Sequence, residues 1–221
     1  MAEVYGEKPK KFTKKWWSYF WCYYKWWVIV PVFLIVIAIG LTIHMLNMKK
    51  FDLTLTYAGP HYFPGNYTKE ISAEYSKLCP DVNKDKKNKL NFANSTIPLE
   101  GRDFEYMGAL MESLKFSIEE DEKYVFIIHK NFAGRFTAQT PRDSRYTLLE
   151  DWLTVDIGDK ETFCDEGGNA YGVSLAGSKI FEKWDCDLTD HYLFISKEPS
   201  DKSELGAYRA AIEFANKLLE N

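Results

Sequence analysis

From Trp26 to Met48 the chain carries 23 consecutive residues without Asp, Glu, Lys or Arg. As a helix this stretch covers about 34 Å, enough for a bilayer core of about 30 Å. Its centre, Val28 to Leu41, is almost wholly aliphatic. The pattern therefore predicts a transmembrane helix over 26–48. Pro31 falls near the start of that span, where a missing N–H costs a helix least. His44 and Asn47 fall at its far end, within reach of the polar interface. Of the twelve residues Trp16–Trp27, nine are aromatic. Trp and Tyr pair an apolar ring with a polar tip and favour the headgroup level. Residues 1–25 are read as a cytoplasmic and interfacial lead-in, with lysines drawn to anionic lipid.

Past Phe51 the pattern changes to short elements. Phe51, Leu53, Leu55 and Tyr57 alternate with polar residues, as in a half-buried strand. A turn-rich stretch, Ala58–Asn66, follows. Tyr67, Ile71, Tyr75 and Leu78 share one face of a helix over 67–78. Lys89–Ala93 reads as a second strand. Phe104, Met107, Met111, Leu114 and Ile118 mark an amphipathic helix over 103–118. Tyr124–His129 is a continuous apolar run, expected of a strand buried on both faces. Leu148–Leu153 is a short apolar piece, Tyr171–Leu175 a strand, Ser178–Trp184 a short helix and Tyr192–Ile195 a buried strand. Asp201–Leu219 is the last helix. Asp201 and Glu204 have capping-box spacing, and Leu205, Tyr208, Ile212, Ala215 and Leu219 form its inner stripe. Strands alternating with helices predict an α/β fold, a mixed, partly parallel sheet covered by helices, over 51–221.

Charge separates the same two parts. Residues 1–50 hold eight of the 28 Lys/Arg and two of the 32 Asp/Glu, a net of +6, which leaves −10 on residues 51–221. Lysines are concentrated before the span, so the positive-inside bias puts the N-terminus in the cytoplasm and the α/β domain outside. The apolar run is longer than that of a cleaved signal peptide and ends without an Ala-x-Ala site, which favours an uncleaved signal anchor. A domain at −10 lacks the clustered cations that phosphate contacts require, so nucleic acid is not an expected partner. The expected partners are the lipid bilayer and either a small ligand or an envelope protein.

Candidate chemistry is sparse. Asp81, Asn83 and Asp85 place oxygen ligands at positions 1, 3 and 5 of an EF-hand-like or dockerin-like loop, a pattern suited to calcium. Lys86 stands where the loop needs Gly, and Phe92 where it needs an acid. A solvated loop is the preferred reading, and no cofactor is expected. Cys79, Cys164 and Cys186 allow at most one pair, and Cys164–Cys186 would close a loop of about 23 residues. Gly172-Val-Ser174-Leu-Ala-Gly177 is one residue away from a nucleophile elbow. His61, His129 and His191 are scattered in sequence, so no catalytic residue is assigned. In open α/β sheets ligands bind beyond the carboxyl ends of the strands. That rule singles out three segments, 57–63, 129–135 and 175–178, and with them Tyr57, Gly59, His129, Ser174, Gly177 and Ser178 as ligand-binding candidates. The last segment leads into the predicted helix at Ser178, whose start would offer free N–H groups to an anion.

Several of these segments together resemble a group of membrane-anchored extracytoplasmic proteins of Clostridia-type bacteria. They are Phe20-Trp-Cys-Tyr-Tyr-Lys-Trp27 before the span, Phe51–Gly59 after it, Asp81–Asn88, Gly168–Ser178, and His191–Ile195 before the final helix. The resemblance implies a reduced type 2 periplasmic solute-binding domain, too small for two lobes. It also implies a non-enzymatic binding module, for which a pocket lined by the strand-end segments is the expectation. An envelope scaffold without a small ligand is the alternative, and a hydrolase a third reading.

Overall fold

A computed structural model describes residues 10–47, 51–99, 104–119, 123–137, 143–220. The chain divides between Lys49 and Lys50 into two compact units. The first holds one helix, α1 (Lys14–Asn47), whose segment Tyr24–Thr42 is long and apolar enough to cross a membrane. Its start lies well upstream of the predicted span. Thr13 caps it, its Oγ1 accepting the Trp16 N–H at 3.2 Å, so the aromatic lead-in is helical too. Pro31 is consequently interior and not near a start. It removes the bond from its own nitrogen to the Trp27 carbonyl, a loss of about 3 kcal/mol in an ordinary helix. Met48, the predicted end of the span, lies outside the described residues.

The second unit is an α/β domain built on one sheet of six strands. These are β1 (Leu53–Gly59), β2 (Leu90–Thr96), β3 (Val125–His129), β4 (Thr162–Cys164), β5 (Ala170–Ser174) and β6 (His191–Ile195). Their order is β2-β1-β3-β6-β5-β4. β1 is parallel to β2 and to β3, while β6, β5 and β4 follow antiparallel to their neighbours. β3 is buried at every position, as its unbroken apolar run requires.

Helices cover both faces. On one side α2 (Gly65–Tyr75), α5 (Leu149–Trp152) and α6 (Leu205–Glu220) pack with Leu53, Leu55, Tyr57, Ile127 and Leu193. On the other, Met111, Leu114 and Ile118 of α3 (Phe104–Glu119) and Phe132 of α4 (Lys130–Ala133) meet Phe126, Ile128 and Phe194. The period-2 alternation along each strand sends successive residues to these two cores.

Several expectations need correction. The inner stripe of α6 runs through Tyr208, Ala211, Phe214, Ala215 and Leu218, with Ile212 only partly buried. The bulk of Phe214 turns the helix by one row. α6 begins at Leu205, so the capping box does not form. Asp201 instead accepts the Ser203 N–H at 2.8 Å, and Glu204 accepts the Tyr124 hydroxyl at 2.8 Å. α2 ends at Tyr75, three residues early. No α-helix runs over 178–184; only a 3-10 turn at Glu182–Trp184 forms, flanked by Phe181 and Asp185 at positive φ. Strand β4 and helix α4 had no distinct sequence signal. Asp103, the predicted start of α3, lies outside the described residues. Cys164 is exposed on β4 while Cys186 is buried, and the two thiols are not bridged.

Candidate functional site

Three of the candidate residues meet at the carboxyl end of the parallel strands. Tyr57 and Gly59 close β1, and His129 closes β3. The antiparallel register sets His129 opposite His191, the first residue of β6. The two imidazoles meet edge to face, 5.0 Å between centroids. The Tyr57 ring stacks on His191 at 5.3 Å, and its hydroxyl lies 3.1 Å from His191 Nε2. That hydroxyl also accepts the His61 N–H at 3.1 Å. Phe63 packs edge-on against Tyr57 at 5.0 Å. Histidines far apart in sequence are therefore gathered at one sheet end, which their spacing does not reveal.

Gly59 makes this approach possible. A Cβ there would lie 2.5 Å from both His191 Nε2 and the Tyr57 hydroxyl oxygen. The cluster is closed to solvent, with Tyr57 0%, His191 2% and His129 4% exposed. Burial, reinforced by the neighbouring charge of His129, pushes the His191 pKa down to about 4. Burial likewise lowers that of His129 and raises that of the Tyr57 hydroxyl, which neighbours the Cys186 thiol. His129 Nδ1 accepts the Asn131 N–H at 3.2 Å, which starts α4. His191 Nδ1 is buried without a partner. An ion pair between Lys130 and Asp190 lies one residue along from each histidine. This is a neutral, packed knot of rings under the strand ends and not an open acid–base pair.

The other three candidates hold local turns. Ser174 is buried, its Oγ accepting the Ala176 N–H at 3.2 Å. Ser178 N–H bonds the Leu175 carbonyl at 3.0 Å, closing a turn with Gly177 at φ +70°. This is the third position of a type II turn, where glycine is favoured. The Ser178 hydroxyl accepts the Ile180 N–H at 3.2 Å. Because no helix starts at Ser178, the expected helix-start anion site is absent.

The calcium-like loop bonds mostly to itself, with Asp81 Oδ1 buried and unpartnered. Asp81 accepts the Lys86 N–H at 2.9 Å, Asn83 that of Asp85 at 2.8 Å, and Asp85 that of Lys87 at 2.9 Å and the Lys89 ammonium. Lys84 and Lys86 adopt positive φ. Asp52, buried at the start of β1, anchors the loop by accepting the N–H groups of Val82, Asn83 and Lys89. Among the described residues no group of three or more His, Cys, Asp or Glu side chains is placed to hold a metal ion.

An open groove of about 620 Å³ lies at the opposite end of the sheet, past Ile195 of β6. Lys197, Glu198, Asp151 and Arg209 bring two cations and two anions to its lining, with Tyr208 and Ile212 beside them. Thr147 donates to the Ser196 carbonyl at 2.8 Å and so accepts from the Tyr208 hydroxyl at 2.8 Å. Arg145–Thr147 runs along the end of β6, the Thr147 N–H bonding Ile195 O at 2.9 Å. The groove thus stands on a rigid floor. None of the six candidates lines it: it lies at the amino ends of the parallel strands, away from the carboxyl ends singled out above. Its residues come from three distant segments and carry no motif. No family model, no curated protein and no solved structure matches this chain.

Proposed function

We propose that the protein is a single-pass membrane protein whose N-terminus is cytoplasmic and whose outer domain is a one-lobe binding module of the solute-binding type. The mixed, partly parallel sheet, too small for a second lobe, supports the architectural part of this reading. The binding part rests on the groove beyond β6. Its volume suits a small ligand. Its paired charges suit a zwitterion, with a carboxylate held by Arg209 or Lys197 and an ammonium by Asp151 or Glu198. Amino acids and short peptides have that chemistry.

Titration calorimetry on the full chain in detergent, with amino acids, di- and tripeptides, sugars and nucleotides, tests the reading. Binding by the zwitterionic compounds is expected, and Arg209→Ala should weaken it about tenfold, equivalent to about 1.4 kcal/mol. Absence of binding in a folded sample would turn the assignment to an envelope scaffold.

A further inference from the structure

α1 is longer than a membrane requires. Its 34 residues extend about 51 Å, against about 40–45 Å for a whole bilayer with headgroups. Residues 28–47 alone match the hydrocarbon core at about 30 Å. A straight, upright helix would carry Lys14–Trp21 past the headgroups and leave three tryptophans in water. One of them, Trp16, belongs to an ordered aromatic face, and Trp17 packs edge-on against it at 5.2 Å. Trp16, Phe20 and Tyr24 stack one above the next, with centroids 5.5 and 5.7 Å apart, and Phe12 lies tilted against Trp16 at 5.3 Å. At about 3.6 residues per turn, Trp27 continues this face. Lys14, Ser18, Cys22 and Lys25 fall on the other side, with Lys15 adjacent. Trp21 and Trp26 fall at the borders. Segregation of lysines from aromatic rings is the mark of a helix lying in the membrane surface.

The charges point the same way. Lys14 and Lys15 occupy the first turn of α1, which has no acid. Cations at a helix start oppose the helix dipole, so they do not serve the helix. They are exposed, as are Lys10, Lys11 and Lys25. Pro31 marks where a bend costs α1 least, because the Trp27 carbonyl has already lost its donor there.

We infer that Lys14–Trp27 binds anionic lipid headgroups in the plane of the membrane, hinged at Pro31 to a span of residues 28–47. The inference rests on the proposed anchor. Nitroxide labels placed singly along 14–27, and at Ile35 and Ile37, in full-length protein with Cys22→Ser and Cys164→Ser, give the depth of each position. The vesicles are phosphatidylcholine with or without phosphatidylglycerol. With phosphatidylglycerol, depth across 14–27 should oscillate with the helical period about a constant mean. Lys14→Gln/Lys15→Gln/Lys25→Gln, or omission of phosphatidylglycerol, should abolish that pattern. A depth that changes steadily along 14–27, or a pattern indifferent to lipid charge, overturns the inference while the span stands. Labels at Ile35 and Ile37 that lie outside the hydrocarbon overturn the span itself.

Discussion

At single residues, the strand-end cluster makes the sharpest demands. Gly59→Ala puts a methyl group 2.5 Å from His191 Nε2 and the Tyr57 hydroxyl. Both obstacles belong to rings fixed in the core, so relief requires moving the stack. A loss of about 2–3 kcal/mol is expected, read from the midpoint of urea unfolding. An unchanged midpoint would mean that the rings move aside freely. His191 makes the domain acid-sensitive. Its pKa is about 4 in the folded protein and about 6.5 when unfolded, so between these values the unfolded chain binds more protons. The stabilising effect of the neutral ring is complete above pH 6.5 and is lost as pH falls toward 4. Its full size is about 3 kcal/mol, and His129 acts in the same direction. Unfolding midpoints measured from pH 7.5 to 4 should fall accordingly, and His191→Gln should flatten the profile. An equally steep profile in that variant would move the effect to other groups.

Among the elements, legibility followed how local the determining contacts are. β3 and β6 were readable because a run of apolar residues reports burial on its own, and β1 because its apolar residues alternate with polar ones. α3 and α6 were readable from period, though the row that faces inward in α6 depends on Phe214, whose partners lie elsewhere in the chain. The predicted helix at Ser178–Trp184 failed because the turn at Gly177 and the left-handed Phe181 redirect the backbone, letting Phe181 enter the aromatic cluster at 5.5 Å from Phe63. The site was legible in part. The strand-end rule brought out Tyr57, Gly59 and His129, while His191 escaped because it starts an antiparallel strand. Asn216 is a further case hidden from pattern reading, a polar residue inside the α6 stripe. Its Oδ1 accepts the Thr154 N–H at 2.8 Å, and its Nδ2 donates to the Trp152 and Ile212 carbonyls at 2.9 Å each. It ties α6 to the end of α5. Asn216→Ala leaves the Thr154 N–H and the Trp152 carbonyl unpaired, for an expected loss of about 2–3 kcal/mol in chemical denaturation. Asn216→Leu, which restores bulk without the bonds, should recover little of it. Full recovery would show that packing, not hydrogen bonding, holds this joint.

For the whole molecule, the division into a basic, apolar-helix unit and an acidic domain was readable from charge and hydropathy because both are sums over many residues. The groove was not, since it depends on how three segments are brought together. The chain also carries its own test of topology in its four cysteines. Cys22 is exposed before the apolar part of α1, and Cys164 is exposed on β4. Cys79 and Cys186 are buried, and burial pushes both thiols up to about 12. The thiolate is the reactive form, so at neutral pH these two are inert. A membrane-impermeant maleimide therefore reads two positions on opposite sides of the proposed span. On intact cells it should label Cys164 and spare Cys22, with Cys22 reacting only after permeabilisation. Cys164→Ser should then abolish labelling of intact cells altogether. Labelling of Cys22 from outside with Cys164 protected would invert the orientation and place the groove in the cytoplasm. Labelling of neither would require both ends to lie inside, which one span with the domain outside forbids.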